Sequence, residues 1–486
     1  MTQGRAAGGA AAVGLGLKAK IGFALGDVYG GGSGVVISMF YLYFLTDVVR
    51  LPAGLAGTLL LVSKVWDAAI DPALGLLTDR TRTRWGRRRP YFLFGMPLVL
   101  ASFFILWCAP AFRSDAAKFA FALGGYLFMT LVSSAVMIPY NSLASELTSS
   151  YAERSSLTQV RMIFSVGSSL VCAVVPDLIV RSFPDPRLGY PAMGAAFGLF
   201  FALPFAFTFA WTREKPEYAA EAPALDLYRL LVEPWKLGSY RKLLGMFLFG
   251  QMTGDVVMAV LVYYCAYYLR REGLTTPLMG VLMVAQLAGV PAFTALARRR
   301  SKRSSYMASC LLRLAASAAM WAVARDSPAP WLFALAAVLG LGTSGSIVMV
   351  YSMLADLPDA DELFSGERRE GMYFGLVSFL RQVSSALALF LLSQAIALSG
   401  YLPPVEAAAN GAAALVKQEQ PESFLAAIKA FFVFMPIAAV LLCLWFAARY
   451  RLSPEAHRRL VALLEARRAG LPADPAEEAA LKELLG

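Results

Sequence analysis

Lys64-Val65-Trp66-Asp67-Ala68-Ala69-Ile70-Asp71-Pro72 stands inside an apolar run of the length that crosses a bilayer, roughly residues 54–77. Spacings of three and four put the ammonium and both carboxylates on one face of a helix. Two carboxylates one turn apart do not both ionise cheaply unless a cation lies between them. That is the electrostatic requirement for a coupling-ion site, in which either both oxygens bind Na⁺ or one carboxylate holds a proton. The bland alternative is a buried Lys64–Asp67 ion pair with Asp71 near a helix end. Pro72 removes a backbone donor and is expected to bend the helix.

The rest of the chain explains why three charges there stand out. Of 486 residues, 58% are hydrophobic and only 16% charged, too few for a soluble chain of this size to cover its surface. The composition points to a lipid-solvated chain and excludes a cytosolic enzyme, a disordered protein and a nucleic-acid binder. Twelve apolar segments are long enough to span a membrane. The first six run roughly 21–46, 54–77, 91–110, 118–142, 157–180 and 190–212. The second six run roughly 241–269, 276–297, 305–324, 330–355, 372–398 and 424–447. The polar stretch 213–240 reads as a linker, which divides the chain into a first half (1–212), the linker (213–240), a second half (241–447) and a tail (448–486). From Leu452 the tail carries Leu460, Leu463 and Leu464 at helical spacing after Ser453-Pro454, the pattern of a short amphipathic helix.

The net charge of +11 is a matter of orientation. With the N-terminus in the cytoplasm, the cytoplasmic segments hold about 30 of the 44 Lys and Arg residues and the external ones about 10, as the positive-inside rule requires. Two loops dominate: Arg80, Arg82, Arg84 and Arg87 to Arg89 after the second span, and Arg298 to Arg303 after the eighth. Both termini are therefore expected in the cytoplasm of an inner (plasma) membrane protein. The five cysteines have no zinc or redox spacing. His457 is the single histidine, so the membrane part offers no histidine triad or histidine metal site. No cleavable signal peptide and no catalytic constellation are evident, and the chain is expected to be neither an enzyme nor a cofactor carrier.

Ionisable groups inside a membrane are expensive and mark function. They are Asp27, Lys64, Asp67, Asp71, Arg161, Asp255, Arg313 and Arg381. The face of the eighth span that corresponds to the Asp67/Asp71 face, around Gln286 and Val290, has no acid, so an ion site in the first half alone is expected. Asp27 precedes a glycine-rich run, Gly30 to Gly34, read as close helix packing or a flexible bend and not as a phosphate loop. Asp27 itself is a candidate either for the substrate cavity or for helix–helix hydrogen bonding. Arg161, Asp255 and Arg381 are candidates to face a water-filled cavity. Arg381 would neutralise a carboxylate or an anionic substrate, or hold the halves together by a salt bridge. Arg313 is expected to snorkel from a peripheral helix.

Three blocks carry a family resemblance. The first runs from Tyr43-Phe44-Leu45-Thr46-Asp47 through Trp66-Asp67 and Asp71-Pro72 to Arg84-Trp85-Gly86-Arg87 and Pro90. The second is Ile138-Pro139-Tyr140-Asn141-Ser142-Leu143, followed by Glu153-Arg154 and Arg161. The third is Ala355-Asp356 to Asp359, Asp361-Glu362, then Gly366 to Gly371 and Phe379-Leu380-Arg381. The chain resembles the glycoside–pentoside–hexuronide:cation symporters, the melibiose-permease-like branch of the major facilitator superfamily. The resemblance implies an all-α membrane protein with the major-facilitator fold, twelve transmembrane helices in two six-helix halves and a substrate site between them. It implies that Asp67 and Asp71 bind the coupling cation with Ser134 nearby, that Tyr140, Asn141 and Arg161 line the substrate cavity, and that Lys64, Asp359, Arg368 and Arg369 belong to charge pairs or a cytoplasmic gate. The expected activity is H⁺- or Na⁺-coupled symport of a small solute, a sugar or glycoside, by a protein that needs no partner but the bilayer. There are departures. The family's two sugar-binding aspartates fall on Gly31 and Met137, an amide of its cation site on Ile70, and its lysine of the eleventh span on Arg381. An amphipathic substrate such as a lysolipid is the alternative.

Overall fold

The computed structural model describes residues 15–148, 151–214, 232–365, 370–409, 412–468 and 475–485, apart from a few side chains within helices. Its helices are α1 (Leu17–Val36), α2 (Ala53–Arg80), α3 (Arg89–Leu106), α4 (Asp115–Leu147), α5 (Tyr151–Arg181), α6 (Pro186–Trp211), α7 (Gly238–Tyr263), α8 (Thr275–Arg299), α9 (Lys302–Met320), α10 (Ala329–Leu354), α11 (Leu357–Ser365), α12 (Glu370–Leu398), α13 (Glu422–Arg449), α14 (Pro454–Arg468) and α15 (Pro475–Leu485). The twelve expected spans are α1–α10, α12 and α13.

Among the described residues, ten helices are long and apolar enough to cross a membrane. The two expected spans that fall short are α2 and α9. Helix α2 carries Lys64, Asp67, Asp71, Asp79 and Arg80, and runs without interruption through position 72. Helix α9 owes its polarity to Ser305, Ser309, Arg313 and Ser317, which are spaced by four and are all buried, so its polar stripe faces the protein.

The packing repeats with a period of six spans. Helix α1 packs on α5 and α6 as α7 packs on α12 and α13; α2 packs on α4 as α8 packs on α10; α3 packs on α4 and α6 as α9 packs on α10 and α13. The ends of α1 and α7 repeat too. Both pass into a π-helical turn, Phe44–Val48 and Tyr264–Tyr268. Both then close with paired backbone bonds, Val49 to Phe44 and Leu51 to Leu45 in one, Leu269 to Tyr264 and Arg271 to Cys265 in the other. The wider bond of each pair spans seven residues and encloses one in the left-handed region, as helix C-terminal closures do, and here it is an arginine each time: Arg50 (φ 56°) and Arg270 (φ 52°).

Between the two sets of six, α2 packs against α12, α5 against α8, and the turn after α1 against α7. The loop before α13 contains a hairpin, β1 (Val405–Ala409) paired antiparallel with β2 (Ala412–Val416). The segment after α10, which carries Asp359, Asp361 and Glu362 of the third motif block, is helix α11. Helix α14 starts where expected, with Ser453 Oγ accepting from the Ala456 N–H at 3.1 Å. Its Leu460, Leu463 and Leu464 are buried in the same cluster as Leu357, Ala360 and Leu363 of α11.

Candidate functional site

A cavity of about 400 Å³ lies at mid-height between the two sets of helices, with α1, α2 and α4 on one side and α12 on the other. Lys64, Asp67, Asp71, Ser134, Asn141 and Arg381 all line it. Helix periodicity brings the first three together. Lys64 Nζ donates to Asp67 Oδ2 at 2.8 Å and reaches Gln382 Oε1 of α12 at 3.4 Å. Asp71, one turn on, faces the Ser134 hydroxyl of α4. Among the described residues, Asp67 Oδ1 and Asp71 Oδ1 are both buried with no hydrogen-bond partner. A buried carboxylate oxygen left unpaired is costly, and two of them on adjacent turns make a donor set for one small cation, with the hydroxyl of Ser134 to complete it. Among the described residues no group of three or more His, Cys, Asp or Glu side chains gathers as a metal site.

Asp27 and Arg161 form a second cluster. Arg161 Nη2 donates to Asp27 Oδ1 at 2.8 Å and to Asn141 Oδ1 at 2.9 Å, and its guanidinium lies over the Tyr140 ring at 5.1 Å. Asp27 is thus neutralised by Arg161 across the α1–α5 contact. Tyr140 is fully buried, stacks on Phe23 and donates its hydroxyl to the Phe23 carbonyl at 2.9 Å. It supports the Arg161 guanidinium from behind; its own hydroxyl is committed to α1.

On the other side, Asp255 of α7 is buried, faces Arg381 and Ser385 of α12, and keeps Oδ2 without a partner. Among the described residues Arg381 makes no hydrogen bond, and it borders the cavity. Arg313 does not snorkel, contrary to expectation. It is 2% exposed, and its Nη2 donates to the Gly250 carbonyl of α7 at 3.2 Å. Gly342 makes room for it, since a Cβ there would meet Arg313 Cγ at 2.6 Å. Among the gate candidates, Asp359 Oδ2 lies 3.3 Å from His457 Nε2 of the tail, while Arg368 and Arg369 lie outside the described residues.

The position of the first missing sugar acceptor has a steric explanation. A Cβ at Gly31 would meet the Ser165 carbonyl oxygen at 2.6 Å and the Ser165 Cα at 2.8 Å. Helices α1 and α5 touch there, and no side chain fits between them. Met137, at the second position, lines the cavity.

One cluster was missed in the sequence. At the end of the molecule opposite the arginine-rich loops, Asp47 is buried and accepts from Tyr267 on Oδ1 and from Thr46 Oγ1 on Oδ2 at 2.7 Å. Thr46 Oγ1 also lies 2.7 Å from the Tyr263 hydroxyl, and Tyr267 meets Tyr401 at 3.1 Å. Thr276 of α8 donates to Asp177 of α5, and Lys417 pairs with Glu272 beneath the hairpin. These bonds join the ends of α1 and α5 to those of α7 and α8. The signal was available: Thr46-Asp47 is an acid at the end of an apolar run, and Tyr263, Tyr264, Tyr267 and Tyr268 crowd one segment.

Residues 22–454 match the family described as MFS/sugar transport protein. An uncharacterized symporter of Synechocystis sp. is 26% identical over 79% of this chain and 86% of its own. The glucuronide carrier protein homolog of Escherichia coli is 27% identical over 80% of this chain and 85% of its own. The sphingosine-1-phosphate transporter MFSD2B of Mus musculus is 27% identical over 72% of this chain and 75% of its own. The solved structure of the nucleoside transporter NupG, at 11% identity, superposes with a TM-score of 0.62 over 89% of this chain and 98% of that one. These relatives are transporters, in keeping with a chain that is not an enzyme. The protein is a multi-pass membrane transporter with the major-facilitator fold, and it belongs to the MFS/sugar transport protein family.

Proposed function

We propose that the chain is a cation-coupled symporter. In this reading residues 1–212 and 241–447 are two halves that rock about the central cavity, 213–240 links them, and both termini and the tail 448–486 lie in the cytoplasm of the inner membrane. One chain suffices for transport. The observation that carries the reading is the pair of buried, unpartnered oxygens on Asp67 and Asp71. Two carboxylates and the Lys64 ammonium leave one net negative charge, and a single monovalent cation, H⁺ or Na⁺, cancels it. Neutralisation lowers the penalty for carrying the site through an occluded state. One cation per cycle is the expected stoichiometry.

For the solute, a sugar or glycoside bearing a carboxylate fits best. Arg381 borders the cavity without a hydrogen bond, and a guanidinium grips a carboxylate bidentately. Asn141, Gln382 and Ser133, also in the cavity wall, offer polar groups to hydroxyls. The second reading is an amphipathic anion such as a lysolipid. It is favoured by Met129, Met137, Leu60 and Leu389 in the same wall and by the likeness to MFSD2B. A phosphate suits Arg381 as well as a carboxylate does.

The test is uptake of a labelled glucuronide into proteoliposomes under a Na⁺ or H⁺ gradient. Asp71→Asn is expected to reduce gradient-driven uptake to background, and persistent gradient-driven uptake in that variant overturns the mechanism. Inhibition by unlabelled lysophospholipid at lower concentration than by unlabelled glucuronide would move the substrate to the second reading.

A further inference from the structure

The cation site lies on a seam that crosses between the two sets of helices. Toward the outer end of this α2–α12 seam, Gln394 Nε2 donates to the Gly54 carbonyl at 3.3 Å. One turn further in, Gly57 approaches α12 so closely that a Cβ would fall 1.6 Å from Ser393 Oγ. Two turns beyond that, the seam meets the site, where Lys64 Nζ is shared between Asp67 Oδ2 at 2.8 Å and Gln382 Oε1 at 3.4 Å. Gln382 adjoins Arg381, both border the cavity that holds Asp67 and Asp71, and Arg381 faces Asp255 of α7.

Lys64 therefore has one acceptor in the cation site and one on the opposite set of helices. A cation entering between Asp67 and Asp71 repels the ammonium and competes with it for Asp67. The ammonium then loses hold on α2 and keeps its acceptor on α12. A ligand shifts a conformational equilibrium only through contacts that differ between the two states, and this shared ammonium supplies such a difference at the seam.

We infer that Gln382 is a positioning residue for coupled transport: through Lys64 it conveys the occupancy of the Asp67/Asp71 site to α12, and so to Arg381. It touches no cation itself. The inference rests on the cation-coupled reading above. Gln394 is the built-in control, the same residue type on the same seam, bonded to a backbone carbonyl remote from the site.

The experiment uses the cation alone as probe. Spin labels are placed at Leu77 of α2 and Phe364 of α11, exposed positions on the two sides of the arginine-rich face. Cys108→Ser removes the one cysteine that is not buried. Distance distributions and thermal stability are recorded in nanodiscs across Na⁺ and pH titrations. In the parent protein the cation raises stability and shifts the distance population. Gln382→Leu is expected to keep the stabilisation, with its midpoint moved to higher cation concentration because the ammonium is left to Asp67 alone, and to lose most of the distance response, by about fivefold or more. Gln394→Leu is expected to keep both responses. Gln382→Glu retains an acceptor for Lys64 and adds negative charge beside the site, and is expected to restore the distance response at a cation concentration no higher than the parent's. A normal distance response in Gln382→Leu, or an equal loss in Gln394→Leu, overturns the role of Gln382 while Asp71→Asn remains silent to cation. An Asp71→Asn protein that still shows both responses overturns the cation site itself.

Discussion

Two buried acid clusters sit along the contact between the two sets of helices, and they differ in how their oxygens are used. At the end opposite the arginine-rich loops both Asp47 oxygens are occupied, by Tyr267 and by Thr46, while Tyr263 meets Thr46 and Tyr267 meets Tyr401. At mid-height Asp67, Asp71 and Asp255 each keep an oxygen that is buried and unpartnered. Proteins satisfy buried polar groups almost everywhere. The Asp47 carboxylate is therefore complete as it stands and ties the two sets of helices together at that end. The unsatisfied one is complete only with a guest.

Three substitutions probe that contrast, in decreasing order of effect. Asp71→Asn removes one of the two unpaired carboxylates and is expected to abolish gradient-driven uptake, read as initial rate in proteoliposomes. Asp47→Asn weakens the Tyr267 and Thr46 bonds. Hydrogen bonds to a charged group contribute about 1.5–3 kcal/mol, so the closed state is expected to lose roughly ten- to a hundredfold in population. A membrane-impermeant maleimide should then modify a Val48→Cys reporter correspondingly faster, and an unchanged rate would mean that Asp47 does not hold the outer end. Gly31→Asp restores the residue type that the melibiose-like carriers place there. The contact with the Ser165 backbone makes it an overpacking change, expected to cost about 1–3 kcal/mol and to lower the melting temperature without conferring galactoside binding. Tight galactoside binding by that variant would show that α1 and α5 separate easily at this point.

The proposed cation site was legible because its parts are local. Lys64, Asp67 and Asp71 share a face by helical spacing alone, and their cost in lipid marks them against an apolar background. Arg161 and Asp27 were visible as charges, but their pairing was not, because 134 residues separate them. Arg313 was misread for a related reason. Hydropathy ranks α9 as the most polar span, and only the spacing of Ser305, Ser309, Arg313 and Ser317 discloses that the polar stripe points inward. The Asp47 cluster was missed because its acid stands at the boundary of an apolar run, where a charge costs little by itself; its meaning depends on tyrosines at the end of α7 and in the loop ahead of β1.

The sequence by itself determined that this chain lives in lipid, that it has the major-facilitator fold, and that one face of the second span carries the charges worth explaining. The lipid setting and the charged face follow from apolar run length, charge count and helical periodicity, which are properties of neighbouring residues; the fold follows from the family resemblance carried by three motif blocks. The tertiary structure decided which of the charges are quenched and which are left open. Arg161 pairs with Asp27 and Asn141, and both Asp47 oxygens accept from hydroxyls, whereas Asp67, Asp71 and Asp255 retain unpartnered oxygens among the described residues, Arg313 holds a carbonyl of α7 through Nη2 and Arg381 borders the cavity. Whether a charge has a partner is a matter of distances between segments remote in the chain, and those are set only when the helices pack.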